Sequence, residues 1–128
     1  MATILVVEDE PIVGLQLKES IEAMGYEVPA ILDSGDAVPR AVFTYEPDLI
    51  LMDIKLRSST DGIDAARRIK SFREIPIIYL TAYPERNSEE RAKATFPCAY
   101  LVKPVSDATL KASIEKALTG EALPACDD

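Results

Sequence analysis

With 128 residues, 48% of them hydrophobic, and a net charge of −8, the chain is sized for one domain with its own core and is too apolar for a disordered tail. The acidic balance excludes a phosphate-backbone grip or an anionic-membrane surface for this domain itself, and the apolar runs are strand-sized rather than membrane-spanning. There is no histidine, which removes imidazole triads, imidazole metal ligands and a phosphohistidine carried by this chain.

The N-terminus lacks a basic stretch and turns acidic at Glu8, so a secretory signal is not expected and the cytoplasm is the expected compartment. The first apolar run is Ile4–Val7. Val13, Leu17, Ile21 and Met24 then recur at helical spacing, with Gly25 placed to end that helix. A second run, Val28–Leu32, precedes a helical stretch from about Ser34 to Tyr45, whose first turn Pro39 makes irregular or delays. The third run is Leu49–Met52, and the third helix opens at Asp61-Gly62 and carries Ile63, Ala66 and Ile69. The fourth run, Ile77–Leu80, is followed by a short, strongly charged helix at about Ser88 to Thr95, the least anchored of the set. Tyr100–Val102 is the fifth run. Ser106 caps a last helix with Leu110, Ile114 and Leu118 on one face and Gly120 just past its end.

The runs are rich in Val, Ile and Leu with little polar alternation, as in strands covered on both faces. Alternation with helices predicts an α/β, doubly wound, five-stranded parallel sheet, with order 2-1-3-4-5 as one of two common solutions. Residues 1–120 are expected to form the domain and residues 121–128 a flexible tail or linker remnant. Cys98 and Cys126 show no metal spacing and read as a part-buried thiol and a stray one.

In such sheets ligands bind beyond the carboxyl ends of the strands. Glu8-Asp9-Glu10 follows the first strand, Asp53 the third, Thr81 the fourth and Lys103-Pro104 the fifth. Each residue alone has an ordinary explanation: a cap, a turn hydroxyl, a surface lysine. Together they bring carboxylates, a hydroxyl and an ammonium to one rim. Crowded carboxylates repel one another unless a cation sits among them, and oxygen ligands suit a hard divalent ion such as Mg²⁺. An ionised Asp can attack phosphorus without a general base and form an aspartyl phosphate. Lys103, the Thr81 hydroxyl and the metal could neutralise the transferring group.

Ile-Leu-Val-Val-Glu-Asp-Glu at 4–10, Asp-Leu-Ile-Leu-Met-Asp-Ile at 48–54, Asp-Gly at 61–62, Ile-Pro-Ile-Ile-Tyr-Leu-Thr-Ala at 75–82 and Tyr-Leu-Val-Lys-Pro at 100–104 resemble the receiver domains of two-component response regulators. The likeness covers about residues 3–118. It implies a flavodoxin-like fold with Asp53 as phospho-acceptor. Asp9 would ligate Mg²⁺ directly, Glu8 mainly through water, and the Lys55 backbone carbonyl would add a third protein contact. Thr81 would be the switch hydroxyl, the Ala82 N–H a phosphoryl contact, Lys103 the phosphate-binding lysine before a cis Pro104, and Tyr100 the aromatic that turns inward.

The resemblance further implies a stoichiometric acceptor rather than a conventional enzyme, phosphorylated by a sensor histidine kinase. A homodimer could form through the face of the fourth helix, fifth strand and fifth helix, and the output protein or domain is left open. Asp61-Gly62 reads as a turn feeding the third helix. Lys55, Arg57 and Tyr83 flank the site, and Lys55 with Tyr83 is expected to slow hydrolysis by crowding and partly neutralising it.

Other chemistries fit less well. A flavin-phosphate carrier needs a Ser/Thr/Gly-rich loop after the first strand, where Glu8-Asp9-Glu10 would repel phosphate. A phosphohydrolase of the haloacid-dehalogenase type wants a second Asp as general acid two residues after the nucleophile, where this chain has Lys55. A degenerate receiver serving only as a docking surface would have no need of the complete polar set.

Overall fold

A computed structural model describes residues 1–56, 60–82 and 84–119. The elements run in order β1 (Ile4–Val7), α1 (Pro11–Ala23), β2 (Ile31–Leu32), a 3-10 turn (Gly35–Ala37), α2 (Val38–Tyr45), β3 (Leu49–Asp53), α3 (Gly62–Lys70), β4 (Ile77–Thr81), α4 (Arg86–Lys93), β5 (Ala99–Val102) and α5 (Asp107–Thr119). All neighbouring strands pair in parallel, in the order β2-β1-β3-β4-β5.

Successive side chains of a strand point to opposite faces, and the core divides accordingly. Leu5, Val7, Ile50, Met52, Ile77 and Tyr79 face α2, α3 and Ala92 of α4. Ile4, Val6, Leu49, Leu51, Ile78 and Leu80 face Ile21 of α1 and Leu110, Ile114 and Ala117 of α5. The three central strands are buried along their whole length, as their apolar runs predict.

The edges differ from expectation. β2 keeps only Ile31 and Leu32 of the predicted Val28–Leu32, both half-buried. Pro29 has no N–H to give a ladder, although Val6 and Glu8 still donate to the carbonyls of Ala30 and Leu32. β5 is half-buried along Ala99–Leu101 and exposed at Val102, because nothing pairs beyond it among the described residues.

Turn chemistry follows the sequence more closely. Gly25 adopts φ +99°, and the N–H groups of Gly25 and Tyr26 donate back to Glu22 and Ile21, a closing pattern that needs the left-handed region. Pro39 lies in the first turn of α2 behind the 3-10 turn, the irregular start it predicts. The Ser106 Oγ accepts from Thr109 N at 3.1 Å, capping α5. α4 begins at Arg86, two residues before the predicted start, and ends before Thr95.

Candidate functional site

Parallel register sets the site. Val7 pairs with Met52, Asp53 with Leu80, and Thr81 with Val102. Glu8, Asp53, Thr81 and Lys103 therefore leave neighbouring strand ends at one level, and Lys103 N donates to the Thr81 carbonyl at 2.8 Å. Glu8, Asp53 and Thr81 are buried, and Asp9 is half-buried.

One carboxylate oxygen from each of Glu8, Asp9 and Asp53 lies within 4.8 Å of the others. The Lys103 ammonium donates to Glu8 Oε1 at 2.6 Å and to Asp53 Oδ2 at 3.3 Å. Glu8 Oε2 accepts from Glu10 N at 3.1 Å. Burial, then the adjacent Glu8 charge, raises the Asp53 carboxyl to a pKa of about 6, against the opposing pull of Lys103. For Lys103, burial favours the neutral amine, but the Glu8 hydrogen bond and the Asp53 and Glu8 charges outweigh it and hold the ammonium charged. Three carboxylates facing one ammonium leave unneutralised negative charge, so the donor set fits a hard divalent cation.

The segment after Asp53 is held from behind. Gly62 opens α3 so close to β3 that a Cβ there would lie 2.1 Å from the Asp53 carbonyl oxygen. Gly62 N also donates to the Ile54 carbonyl at 2.9 Å. Asp61 caps α3 through Oδ1, which accepts from Asp64 N at 2.9 Å, in keeping with its reading as a turn into the helix. Thr60 Oγ1 donates to Asp36 of the 3-10 turn, and a Cβ on Gly35 would lie 2.5 Å from the Thr60 carbonyl oxygen.

Two ionic ties cross from this segment to the one after Thr81. The Lys55 ammonium pairs with Glu85 at 2.8 Å. Arg91 of α4 reaches Asp61 Oδ2 at 3.1 Å and Asp64 Oδ1 at 3.2 Å. Neither Glu85 nor Arg91 is legible as a site residue in the sequence, since both stand in a charged stretch that reads as a solvated face. Gly62 carries a signal that a turn reading undervalues: a glycine opening a helix directly after an acidic cap.

Ala82 is exposed beside Thr81. Tyr100 packs against the core on the α3 side, its hydroxyl is buried without a hydrogen-bond partner among the described residues, and burial followed by Glu89 and Glu85 raises its pKa. The Lys103–Pro104 bond is cis. Cys98 is buried. Arg57, Tyr83, Cys126 and the 121–128 tail lie outside the described residues.

The model of the response regulator receiver domain matches residues 4–115. The chain is 39% identical over 116 residues to the transcriptional regulatory protein PdtaR of Mycobacterium tuberculosis, covering 91% of this chain and 56% of that protein. It is 37% identical over 121 residues to the phyllosphere-induced regulator PhyR of Methylorubrum extorquens, covering 92% and 44%. The chain thus spans about half the length of these relatives. The crystal structure of the signal receiver domain of a modulated diguanylate cyclase from Desulfovibrio desulfuricans superposes with a TM-score of 0.89 at 34% identity, over 97% of this chain and 98% of that one.

Proposed function

The chain belongs to the response regulator receiver family, and from that premise we propose that Asp53 accepts a phosphoryl group from a sensor histidine kinase. The observation that carries this reading is the Asp53 carboxylate, buried at a strand end beside Glu8 and Asp9 and within 3.3 Å of the Lys103 ammonium.

Glu8, Asp9, Asp53 and the Lys55 backbone carbonyl would hold Mg²⁺, Glu8 mainly through water. The bound ion would offset the charge on the equatorial phosphoryl oxygens. An Asp53 carboxylate oxygen forms the new bond to phosphorus as the bond from phosphorus to the donor breaks, and the donor leaves with that electron pair. Lys103 holds its proton throughout and shifts from Asp53 and Glu8 toward a phosphoryl oxygen. The Thr81 hydroxyl and the Ala82 N–H provide further donors to that group. The chain would in this way assist its own phosphorylation, and hydrolysis would return Asp53 to its carboxylate.

A phosphoryl group adds charge and acceptor oxygens at the rim. Thr81 would move toward them, and Tyr100, whose hydroxyl already lies buried, would be held in that inward position, which changes the face of α4, β5 and α5. That face would serve an output protein or domain, or a homodimer. Among the described residues no helix is long and apolar enough to cross a membrane. With the net charge of −8, we take the domain to act through proteins in the cytoplasm, without direct nucleic-acid or membrane contact. Residues 1–120 would form the working unit, and 121–128 a tail or linker.

Intact mass after incubation with acetyl phosphate and Mg²⁺ tests the chemistry. One metal-dependent phosphoryl adduct is expected in wild type and none in Asp53→Asn. Labelling that persists in the variant would refute the assignment.

A further inference from the structure

Several cations on α1 and α4 are matched within their own helix: Lys18 pairs with Glu22, Arg86 with Glu90 and Lys93 with Glu89. The outer seam of α2 and α3 is different. Two phenylalanines stand exposed there, Phe43 of α2 at 63% and Phe72, just past the end of α3, at 41%. Their rings stack with centroids 5.1 Å apart and planes 7° from parallel. The Arg73 guanidinium lies 5.6 Å from the Phe43 centroid. Arg40 and Arg68 each precede a ring by about one helical turn, and Arg67 is exposed next to Arg68. Four of the chain's seven arginines thus lie on or beside this seam. Of these four only Arg68 has a carboxylate partner among the described residues, Asp36 at 3.9 Å, and the exposed Glu46 and Glu74 that follow the rings pair with none of them.

We propose that the α2–α3 seam is a docking surface for an acidic segment of a partner protein that carries an apolar side chain. Charge complementarity names the occupant. In a chain of net charge −8, a concentration of arginines without carboxylate partners is a local reversal of sign. Protein interfaces are enriched in aromatic residues and arginine and depleted in lysine and glutamate, which is the composition of this seam. A planar guanidinium takes a carboxylate through two parallel bonds. The rings give an apolar floor that stacking and the Arg73 contact already hold in place, so little side-chain freedom is lost on binding. A polynucleotide carries the same sign of charge, but it needs many phosphate contacts along a track, and the excess negative charge of the domain opposes it. A short acidic segment needs only the local charge. Phe72 lies beyond the far end of α3 from Gly62, roughly 15 Å along the helix axis from the end that touches Asp53. A segment seated on the rings therefore leaves the Asp53 rim open, and the docking does not depend on the chemistry there.

The probe is a labelled random copolymer of glutamate and tyrosine, titrated with the full chain at low salt and read by fluorescence anisotropy, with polyglutamate and poly(U) as comparators. Wild type is expected to bind the copolymer more tightly than polyglutamate, because only the copolymer offers side chains to Phe43 and Phe72. An Arg40→Glu, Arg73→Glu variant should weaken copolymer binding by about tenfold or more. Arg40→Gln, which removes one charge from an exposed position, should weaken it in the same direction by less. A Lys111→Glu, Lys116→Glu variant changes net charge by as much at exposed positions of α5, and should leave binding within about twofold because distant exposed charges are screened. Phe72→Ala should abolish the preference for the copolymer over polyglutamate. Wild type that binds no copolymer, or equal losses in the two charge-reversed variants, overturns the docking surface. Tighter binding of poly(U) than of the copolymer overturns the protein occupant and assigns the seam to single-stranded nucleic acid.

Discussion

Helices α3 and α4 cover the same face of the sheet, are close in length, and are attached by different physics. α3 buries Ile63, Ala65, Ala66 and Ile69, and Asp61 caps it. α4 buries Ser88 and Ala92 and is otherwise charged or polar, tied to its neighbour by Arg91 and, through its N-cap Glu85, to Lys55 in the segment after Asp53. Beyond its end, Thr95 Oγ1 meets the Tyr79 hydroxyl at 2.7 Å. Apolar burial is non-directional and survives small displacements, whereas ionic forks and hydrogen bonds are geometric. The strand that ends in Asp53 thus rests against a helix built not to move, beside one whose attachment can be exchanged. Elements that move in switching are drawn from the low-stability end of a structure.

The sharpest way to break this comparison is to weaken each helix in its core. Ile63→Ala removes a fully buried side chain and should cost about 3–4 kcal/mol in denaturant unfolding. Ala92→Gly, also fully buried, should cost about 1 kcal/mol. Native-state hydrogen exchange should show α4 amides opening below the global free energy and α3 amides opening with it. Equal costs, or equal protection, would mean that α4 is as firmly built as α3 and that no low-energy boundary lies between them.

The acceptor supplies a second contrast, this time with its own folded surroundings. Asp53 is destabilising where it stands: its pKa rises from 3.8 to about 6, first through burial and then through Glu8. Between those values the unfolded chain has released a proton that the folded chain keeps, so metal-free stability falls as pH rises through about 4 to 6. Above that window the full cost is present, on the order of 3 kcal/mol. Asp53→Asn should therefore raise the melting temperature of metal-free protein at pH 7 and lose most of that advantage near pH 4. Mg²⁺ should narrow the gap by stabilising wild type. A variant that is no more stable at pH 7, or a gain independent of pH, would show that the strain lies elsewhere.

These contrasts mark what the sequence could show. The central strands, the Gly25 and Ser106 caps, the Pro39 irregularity and the polar rim were legible because each rests on local pattern or on which residue ends a strand. The edges were less legible. An apolar run looks alike in a central strand and at an edge, and only Pro29 hinted that β2 would be short. The Arg91 fork and the Glu85–Lys55 pair were not legible, because a partner in another element leaves no periodicity in a charged stretch. The approach of Gly62 to the Asp53 backbone is a distance between two elements, and the sequence shows only the glycine.

The smallest effect expected is on the lifetime of the phosphoryl group. Lys55 and Tyr83 follow Asp53 and Thr81 by two residues in the sequence, and we propose that bulk and charge there slow the approach of water. The Lys55 ammonium is committed to Glu85 across the two loops, and both side chains are about half exposed, so solvent screens the pair and its removal does little to the fold. Its contribution is local: it keeps a side chain and its charge near the rim when phosphorus is attacked. A Lys55→Ala, Tyr83→Ala double variant should take up label from acetyl phosphate as wild type does and lose it faster, by about threefold or less if screening dominates. Timed loss of label from both proteins, after removal of the donor, decides it. Faster loss with unchanged unfolding makes positions 55 and 83 determinants of signal duration. Equal rates would remove Lys55 and Tyr83 from the control of hydrolysis and leave the Glu85 pair a surface tie alone.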